Sequence, residues 1–329
     1  MTEDLELSLP DRIADAFSGK SIFLTGGTGF ILERRCPDIS NIYMLIRPKK
    51  GKSPKQRLLE IFNHDLFEQV RDIYTLDELA SKVIPIDGDI ASEGLNLSQE
   101  SKDLCTKAEI IVHTAACIRF DADLKQSILM NTRGTKYVLD LAKEFQKLEL
   151  FVYMSTAFCH PEEAVLEEKG YRPYYDPHEM IRTVEVSDEE TLSALTSKVL
   201  KSLPNCYTLS KALAEALVEE TSNNLPILIM RPSVVIPILY DPLPGWTDNL
   251  NGPAGLLIAE RRCMQSHPPR FDETVPPKHL ERGYISHVQD VQLFNLTKSH
   301  RSTPHVILRS LYHHMLHALL SPSRINFQF

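Results

Sequence analysis

Six short apolar runs recur along the chain: 21–25, 42–46, 83–86, 110–112, 150–154 and 227–230. Each is continuous in apolar character rather than alternating with polar residues. A strand with one wet face alternates; a strand covered on both faces does not. Five of the runs are followed at once by small or polar residues, as in Gly26-Gly27-Thr28-Gly29, Asp87-Gly88-Asp89 and Ser155-Thr156. The pattern predicts buried strands that open into turns at one end.

Helical periodicity lies between the runs. Residues 54–70 place Leu58, Leu59, Phe62, Leu66 and Phe67 on one face behind Ser53, a residue suited to an N-cap. Residues 121–148 form a long periodic segment whose apolar face is interrupted by Asn131 and Gly134. Ser187-Asp188-Glu189-Glu190 has the form of a capping box and predicts a helix to about 203. A further helix is expected over 207–223. Strands alternating with helices imply an α/β fold, a doubly wound parallel sheet with helices on both faces. One crossover is short. Only twelve residues separate Gly29 from Ile42, and Pro37 with the turn-like residues after it leaves about two helical turns. The first crossover helix is expected to be truncated.

The regions divide as 1–20, a lead-in; 21–258, the nucleotide-binding domain; and 259–329, a divergent tail expected to pack poorly. Substrate-side insertions are expected at about 160–206 and 236–258. Eight of the twelve histidines fall between His267 and His317, within that tail. His313 and His317 are four apart, but no third ligand accompanies them, and no metal is expected.

Composition narrows the functional classes. The 329 residues carry a net charge of −8, which argues against nucleic acid as the main partner. No apolar stretch approaches the ~20 residues of a membrane span, and the acidic N-terminus lacks a secretory signal. Six cysteines, none in a C-x-x-C pair, suggest reduced thiols in an intracellular protein.

Candidate chemistry gathers at the ends of the apolar runs. Thr25, Gly26, Gly27, Thr28, Gly29 and Phe30 follow the first run, where a glycine turn lets backbone approach a pyrophosphate. Leu32 stands where a third glycine is expected. The second run ends in Arg47-Pro48-Lys49-Lys50. An acidic residue there would hold a ribose 2′-hydroxyl; a basic cluster suits the 2′-phosphate of NADPH. Asp89 could accept from an adenine amino group, although Asp-Gly-Asp also reads as a plain turn. Tyr207 and Lys211 sit one turn apart on a helix face, and a cation there favours phenolate and lowers the tyrosine pKa toward working pH. A hydroxyl from Ser155 or Thr156, at the end of the fifth run, could hold the same carbonyl oxygen. These residues point to NADP-dependent carbonyl reduction.

The glycine turn together with Leu45-Ile46-Arg47-Pro48-Lys49, Gly88-Asp89-Ile90, His113-Thr114-Ala115-Ala116, Asn131-Thr132-Arg133-Gly134-Thr135, Tyr153-Met154-Ser155-Thr156-Ala157 and Tyr207-x-x-x-Lys211 resembles extended short-chain dehydrogenases. Finer strings are similar to animal fatty acyl-CoA reductases, insect members in particular: Cys36-Pro37-Asp38-Ile39, Ile118-Arg119-Phe120-Asp121, Ala212-Leu213-Ala214-Glu215, Arg231-Pro232-Ser233-Val234-Val235 and Pro244-Gly245-Trp246-Thr247-Asp248-Asn249. The resemblance covers about 15–258. It implies a Rossmann-like domain that reduces a long-chain acyl-CoA to a primary alcohol with two NADPH, releasing CoA. It implies Tyr207 as general acid, Lys211 as the residue that holds the nicotinamide ribose and tunes Tyr207, and Thr156 or Ser155 on the carbonyl oxygen. To the cofactor set it adds Arg47, Lys49, Asp89, Ile90, Ala115, Ala116, Asn131, Pro232, Ser233 and Val234. It implies association with peroxisomal or endoplasmic reticulum membranes through a C-terminal region that this sequence does not contain. Two alternatives stand beside it: another extended dehydrogenase acting on a sterol or nucleotide sugar, and a truncated, non-catalytic remnant. The departures after Phe30 and after Ile258 have the size of lost exons, as in a splice form or a misassembled gene, and Phe294-Asn295-Leu296-Thr297 echoes the family again.

Overall fold

The computed structural model describes residues 12–27, 38–49, 51–233, 238 and 243–246, together with the backbone of 292–295. All six apolar runs are strands: β1 (Ser21–Thr25), β2 (Asn41–Ile46), β3 (Val83–Asp87), β4 (Ile110–His113), β5 (Leu150–Met154) and β6 (Ile227–Arg231). They pair in parallel in the order β3-β2-β1-β4-β5-β6. A seventh strand, β7 (Gln292–Asn295), pairs antiparallel with β6 and sets Phe294 opposite Ile229. These four residues belong to the segment expected to be a poorly packed tail, and the last two, Phe294 and Asn295, begin the stretch that echoes the family. The tail therefore contributes an edge strand.

The continuous apolar runs have a direct explanation. Successive side chains of a strand point to opposite faces. Phe23, Tyr43, Ile111, Phe151 and Ile229 enter one core, whereas Ile22, Leu24, Met44, Val112, Val152 and Met230 enter the other. Both faces are dry, so neither set can be polar.

Helices cover both faces: α1 (Arg12–Phe17), α2 (Pro54–Phe62), α3 (Glu68–Arg71), α4 (Leu76–Lys82), α5 (Gln99–Cys105), α6 (Leu124–Ser127), α7 (Gly134–Ala142), α8 (Pro177–Val186), α9 (Glu189–Leu200) and α10 (Cys206–Thr221). The helix expected over 54–70 is broken. Ser53 caps α2 with a capping box completed by Gln56, but the chain turns at Asn63 and His64 before α3. The cap expected at Ser187 is Asp188, whose carboxylate accepts from Thr191 N; Ser187 instead terminates α8. The segment expected over 121–148 is helical with a π-helical stretch, Ile128–Arg133, between α6 and α7. Gly134 lies against the loop after β3: a Cβ there would stand 3.0 Å from Ile90 O. The truncated first crossover helix lies outside the described residues.

Candidate active site

Because β1 to β6 run parallel, their carboxyl ends share one edge of the sheet. The strand order reverses between β1 and β4, and ligands of open α/β sheets bind in the crevice at such a point. The residues singled out in the sequence come to this edge. Gly26 and Gly27 follow β1, Arg47 follows β2, Asp89 and Ile90 follow β3, Ala115 and Ala116 follow β4, Ser155 and Thr156 follow β5, and Pro232 and Ser233 follow β6. Thr28, Gly29, Phe30 and Val234 lie outside the described residues.

Gly26 has φ +75°, and a Cβ on it would stand 2.5 Å from Ala115 N and 2.6 Å from Thr114 Oγ1. The glycine turn therefore nests against the backbone leaving β4, where Thr114 donates to Thr25 O at 2.7 Å and Ala115 N to Thr25 Oγ1 at 3.3 Å. This close approach of two loops, together with the positive φ, is what requires glycine at position 26. Gly26→Ala adds both the clash and a left-handed residue, so it is expected to abolish nucleotide binding and lower stability by about 1–3 kcal/mol. Isothermal titration with nucleotide and thermal melting check the two effects.

Beneath the turn, His113 is buried, with Nδ1 2.6 Å from Thr25 Oγ1 and Nε2 3.0 Å from Thr135 Oγ1. Burial and the nearby Lys211 charge push its pKa down to about 3, so it is a neutral brace between β1 and α7. At the far side of the crevice Arg47, half exposed, donates to Asp89 Oδ2 at 3.3 Å, and Asp89 Oδ1 accepts from Ala91 N. Two residues expected to read different parts of a nucleotide are thus paired with each other. Lys49 is exposed in a backbone bridge to Lys52.

The reactive pair stands on α10. Asn205 caps this helix, its side chain accepting from Thr208 N, and so directs the first turn with Tyr207 at the sheet edge. The Tyr207 phenol lies beside the Thr156 hydroxyl, and burial pushes its pKa up to about 12. This corrects the expectation that Lys211 brings Tyr207 toward working pH: here the phenol is firmly protonated, the form a proton donor requires. Lys211, 3% exposed, donates from Nζ to Met154 O at 2.6 Å and lies 4.3 Å from the centroid of the Tyr153 ring. Burial brings its pKa down to about 8, against the pull of Glu215. The two hydroxyls after β5 differ in their surroundings: Thr156 lies beside Tyr207 and accepts from Phe158 N at 3.3 Å, whereas Ser155 Oγ is buried near Cys159 and Glu215 without a hydrogen-bond partner.

Asn131 explains the π-helical stretch it sits on. Its side chain accepts from Cys117 N at 2.7 Å and donates to Cys117 O at 3.0 Å and Ser210 Oγ at 2.9 Å. It ties the loop after β4 to α10. Beyond it the crevice wall is apolar: Phe120, exposed, packs 5.6 Å from the Tyr207 ring, and Ile118 and Phe158 are exposed nearby in sequence.

A cluster with no role assigned from the sequence lies behind the pair. Arg231, fully buried, donates from Nη2 to Glu215 Oε2 at 2.7 Å and from Nε to Oε1 at 3.0 Å. It also reaches Glu167 O and Lys169 O. Cys159 donates to Glu215 Oε1 at 3.2 Å. The ligating atoms of Cys159, His160 and Glu215 lie within 4.8 Å of one another. A metal does not suit them: Arg231 occupies the carboxylate, and burial keeps the Cys159 thiol protonated, well above its ordinary pKa. The signal was present in the sequence. Glu215 interrupts Ala212-Leu213-Ala214 and Ala216-Leu217 on a helix with no wet face, and Arg231 closes a strand otherwise wholly apolar. Two lone charges in dry elements must meet.

A family model described as male sterility protein, an NAD-binding domain, matches residues 24–275. The chain is 37% identical over 255 residues to fatty acyl-CoA reductase 1 of Xenopus laevis, covering 75% of this chain and 49% of that protein. It is 38% identical over 276 residues to fatty acyl-CoA reductase 2 of Mus musculus, covering 80% of this chain and 53% of that one. The chain thus spans about half the length of the curated relatives it matches. Among solved structures, the terminal R domain of the myxalamid PKS-NRPS biosynthetic pathway superposes with TM-score 0.51 at 26% identity, over 71% of this chain and 53% of that one. A thiolation-reductase di-domain from an archaeal non-ribosomal peptide synthetase shares the fold, with TM-score 0.50 at 21% identity, over 78% of this chain and 67% of that chain.

Proposed function

Since the chain belongs to the male sterility protein family and carries its NAD-binding reductase domain, we propose that it reduces long-chain acyl-CoA to primary alcohol with NADPH. The observation that carries this reading is Tyr207 and the buried Lys211 one turn apart on α10, with Thr156 beside Tyr207 at the carboxyl edge of the sheet. The nucleotide fits the residues present. Gly26 leaves no room for a side chain at the turn, and Arg47 stands where the strand end meets the adenosine ribose of such cofactors. A bound nicotinamide supplies the hydride.

The chain's own residues supply the rest. In this reading the neighbouring hydroxyls of Thr156 and Tyr207 hold the substrate carbonyl oxygen. Tyr207 gives its proton to that oxygen as negative charge develops on it. Lys211, held by Met154 O one helical turn beyond Tyr207, is placed to hold the nicotinamide ribose of a bound cofactor. With a thioester, the first reduction yields a thiohemiacetal that releases CoA as the thiol and leaves an aldehyde; a second round reduces the aldehyde at the same hydroxyls. Overall, one acyl-CoA, two NADPH and two protons give the alcohol, CoA and two NADP. Phe120, exposed against the Tyr207 ring, with Ile118 and Phe158 exposed close to the site in sequence, offers apolar surface that suits an alkyl chain.

Thermal unfolding with NADPH and with NADH tests the cofactor reading. At 100 times its dissociation constant NADPH is expected to add about 2.7 kcal/mol, with little from NADH at the same concentration. In Arg47→Ala the two nucleotides are expected to stabilise equally. An equal response of the unaltered chain to both would reject Arg47 as the reader of the 2′-phosphate. Release of CoA thiol from a long-chain acyl-CoA, dependent on NADPH, tests the substrate.

A further inference from the structure

Glu215 lies four residues beyond Lys211 and eight beyond Tyr207 on α10, so the three share one face, about 6 Å apart along the axis. Glu215 is 2% exposed. It is the point at which four parts of the domain converge. Cys159 donates to it from the turn that carries Thr156, and the same thiol also donates to Thr156 O at 3.0 Å. His160 Nε2 lies 3.5 Å from Oε2. Arg231 binds it from the end of β6 and carries on to Glu167 O and Lys169 O in the substrate-side segment.

We propose that Glu215 is a positioning residue for the carbonyl-reducing centre: through Cys159 and His160 it pins the turn that carries Thr156, and its carboxylate is the counter-charge to the Lys211 ammonium. The inference rests on the reading of Tyr207, Thr156 and Lys211 as that centre. The groups facing Lys211 are few. Its own helix offers Tyr207 and Glu215, β5 the Tyr153 ring and Met154 O, the following turn the Cys159 thiol, and β4 the neutral His113. Only Glu215 among them is an anion at neutral pH, because the thiol and both phenols are held protonated by burial. A buried ammonium with no anion near it sheds its proton more readily.

Side-chain NMR of isotope-labelled lysine in the full chain tests this, with Lys211→Met identifying the resonance. The Lys211 midpoint is expected near 8 in the unaltered chain. It is expected to fall by about one pH unit or more in Glu215→Gln. Because a lone buried Arg231 could unfold that variant, Glu215→Gln combined with Arg231→Met is measured beside it, with the same fall expected. Glu215→Asp, which keeps the charge, is expected to stay near the unaltered value. An unchanged midpoint in a folded charge-removing variant overturns the proposal. The alkaline limb of the kcat/KM profile is expected to move acid-ward in step, which a merely structural carboxylate would not do. A titration that behaves as described in a chain without reductase activity would sink the reductase reading and leave the role of Glu215 toward Lys211 standing.

Discussion

Tyr207→Phe is expected to lower NADPH-dependent carbonyl reduction by about 10²–10⁴-fold, the usual contribution of a positioned proton donor. The substitution removes one hydroxyl and keeps the ring, so the packing against Phe120 remains. The phenol is held protonated, and its loss leaves Thr156 without that neighbour but with Phe158 N still donating to it at 3.3 Å. Stability should therefore change by no more than about 1 kcal/mol. Nucleotide binding should persist, because the glycine turn and Arg47 lie on other loops. The decisive comparison is kcat/KM for both proteins together with their thermal response to NADPH. Activity that is equally low in both, with binding retained, would identify the chain as a nucleotide-binding domain without catalysis.

The largest stability effect is expected from Arg231→Met. Arg231 is fully buried and makes three short contacts to the Glu215 carboxylate, at 2.7, 3.0 and 3.2 Å. Replacing both partners by apolar residues can be close to neutral, but removing only one strands a buried charge, at a cost of about 3–5 kcal/mol. For a domain of this size that is a fall in Tm of roughly 10 °C. The pH dependence follows from Glu215. Burial alone would raise its pKa, but the His160 ring 3.5 Å away and the hydrogen bonds and charge of Arg231 bring it down to about 2 from 4.5. A carboxyl whose pKa is depressed in the folded state contributes stability above its unfolded value and loses it as pH falls toward the folded one. The gap between the unaltered protein and Arg231→Met should accordingly be widest at neutral pH and narrow as the pH drops below 4.5. A gap that stays constant down to the acid limit would mean that Glu215 contributes no pairing energy. Adding Glu215→Gln to Arg231→Met should recover part of the loss.

The strands were legible because a buried parallel sheet imposes one strict local requirement. The middle of each run had to be apolar on both faces, and each run had to lead into a turn at the carboxyl edge of the sheet. The residues after the runs were legible for the same reason: glycine, arginine, aspartate, serine and threonine at those ends have no strand role. Helix limits were less so. The break at Asn63 and the cap at Asp188 depend on which of several adequate residues the tertiary packing selects. Ser155 and Thr156 could not be separated by sequence, since adjacent hydroxyls at a strand end are equivalent until the turn after β5 sends one to Tyr207 and the other toward Glu215.

By itself, then, the sequence determined the α/β class, the strands and the residues that meet at their carboxyl ends, because these follow from periodicity and from the chemistry of single positions. Only the tertiary structure decided how the charges are used. Arg47 and Asp89 are partners across two loops, Lys211 faces Met154 O and Glu215, and Arg231 closes a network reaching 64 residues back along the chain to Glu167. Tyr207 became a firmly protonated acid through burial, which spacing cannot express. Pairing and desolvation depend on which distant segments the sheet order brings together, and no local pattern encodes that distance.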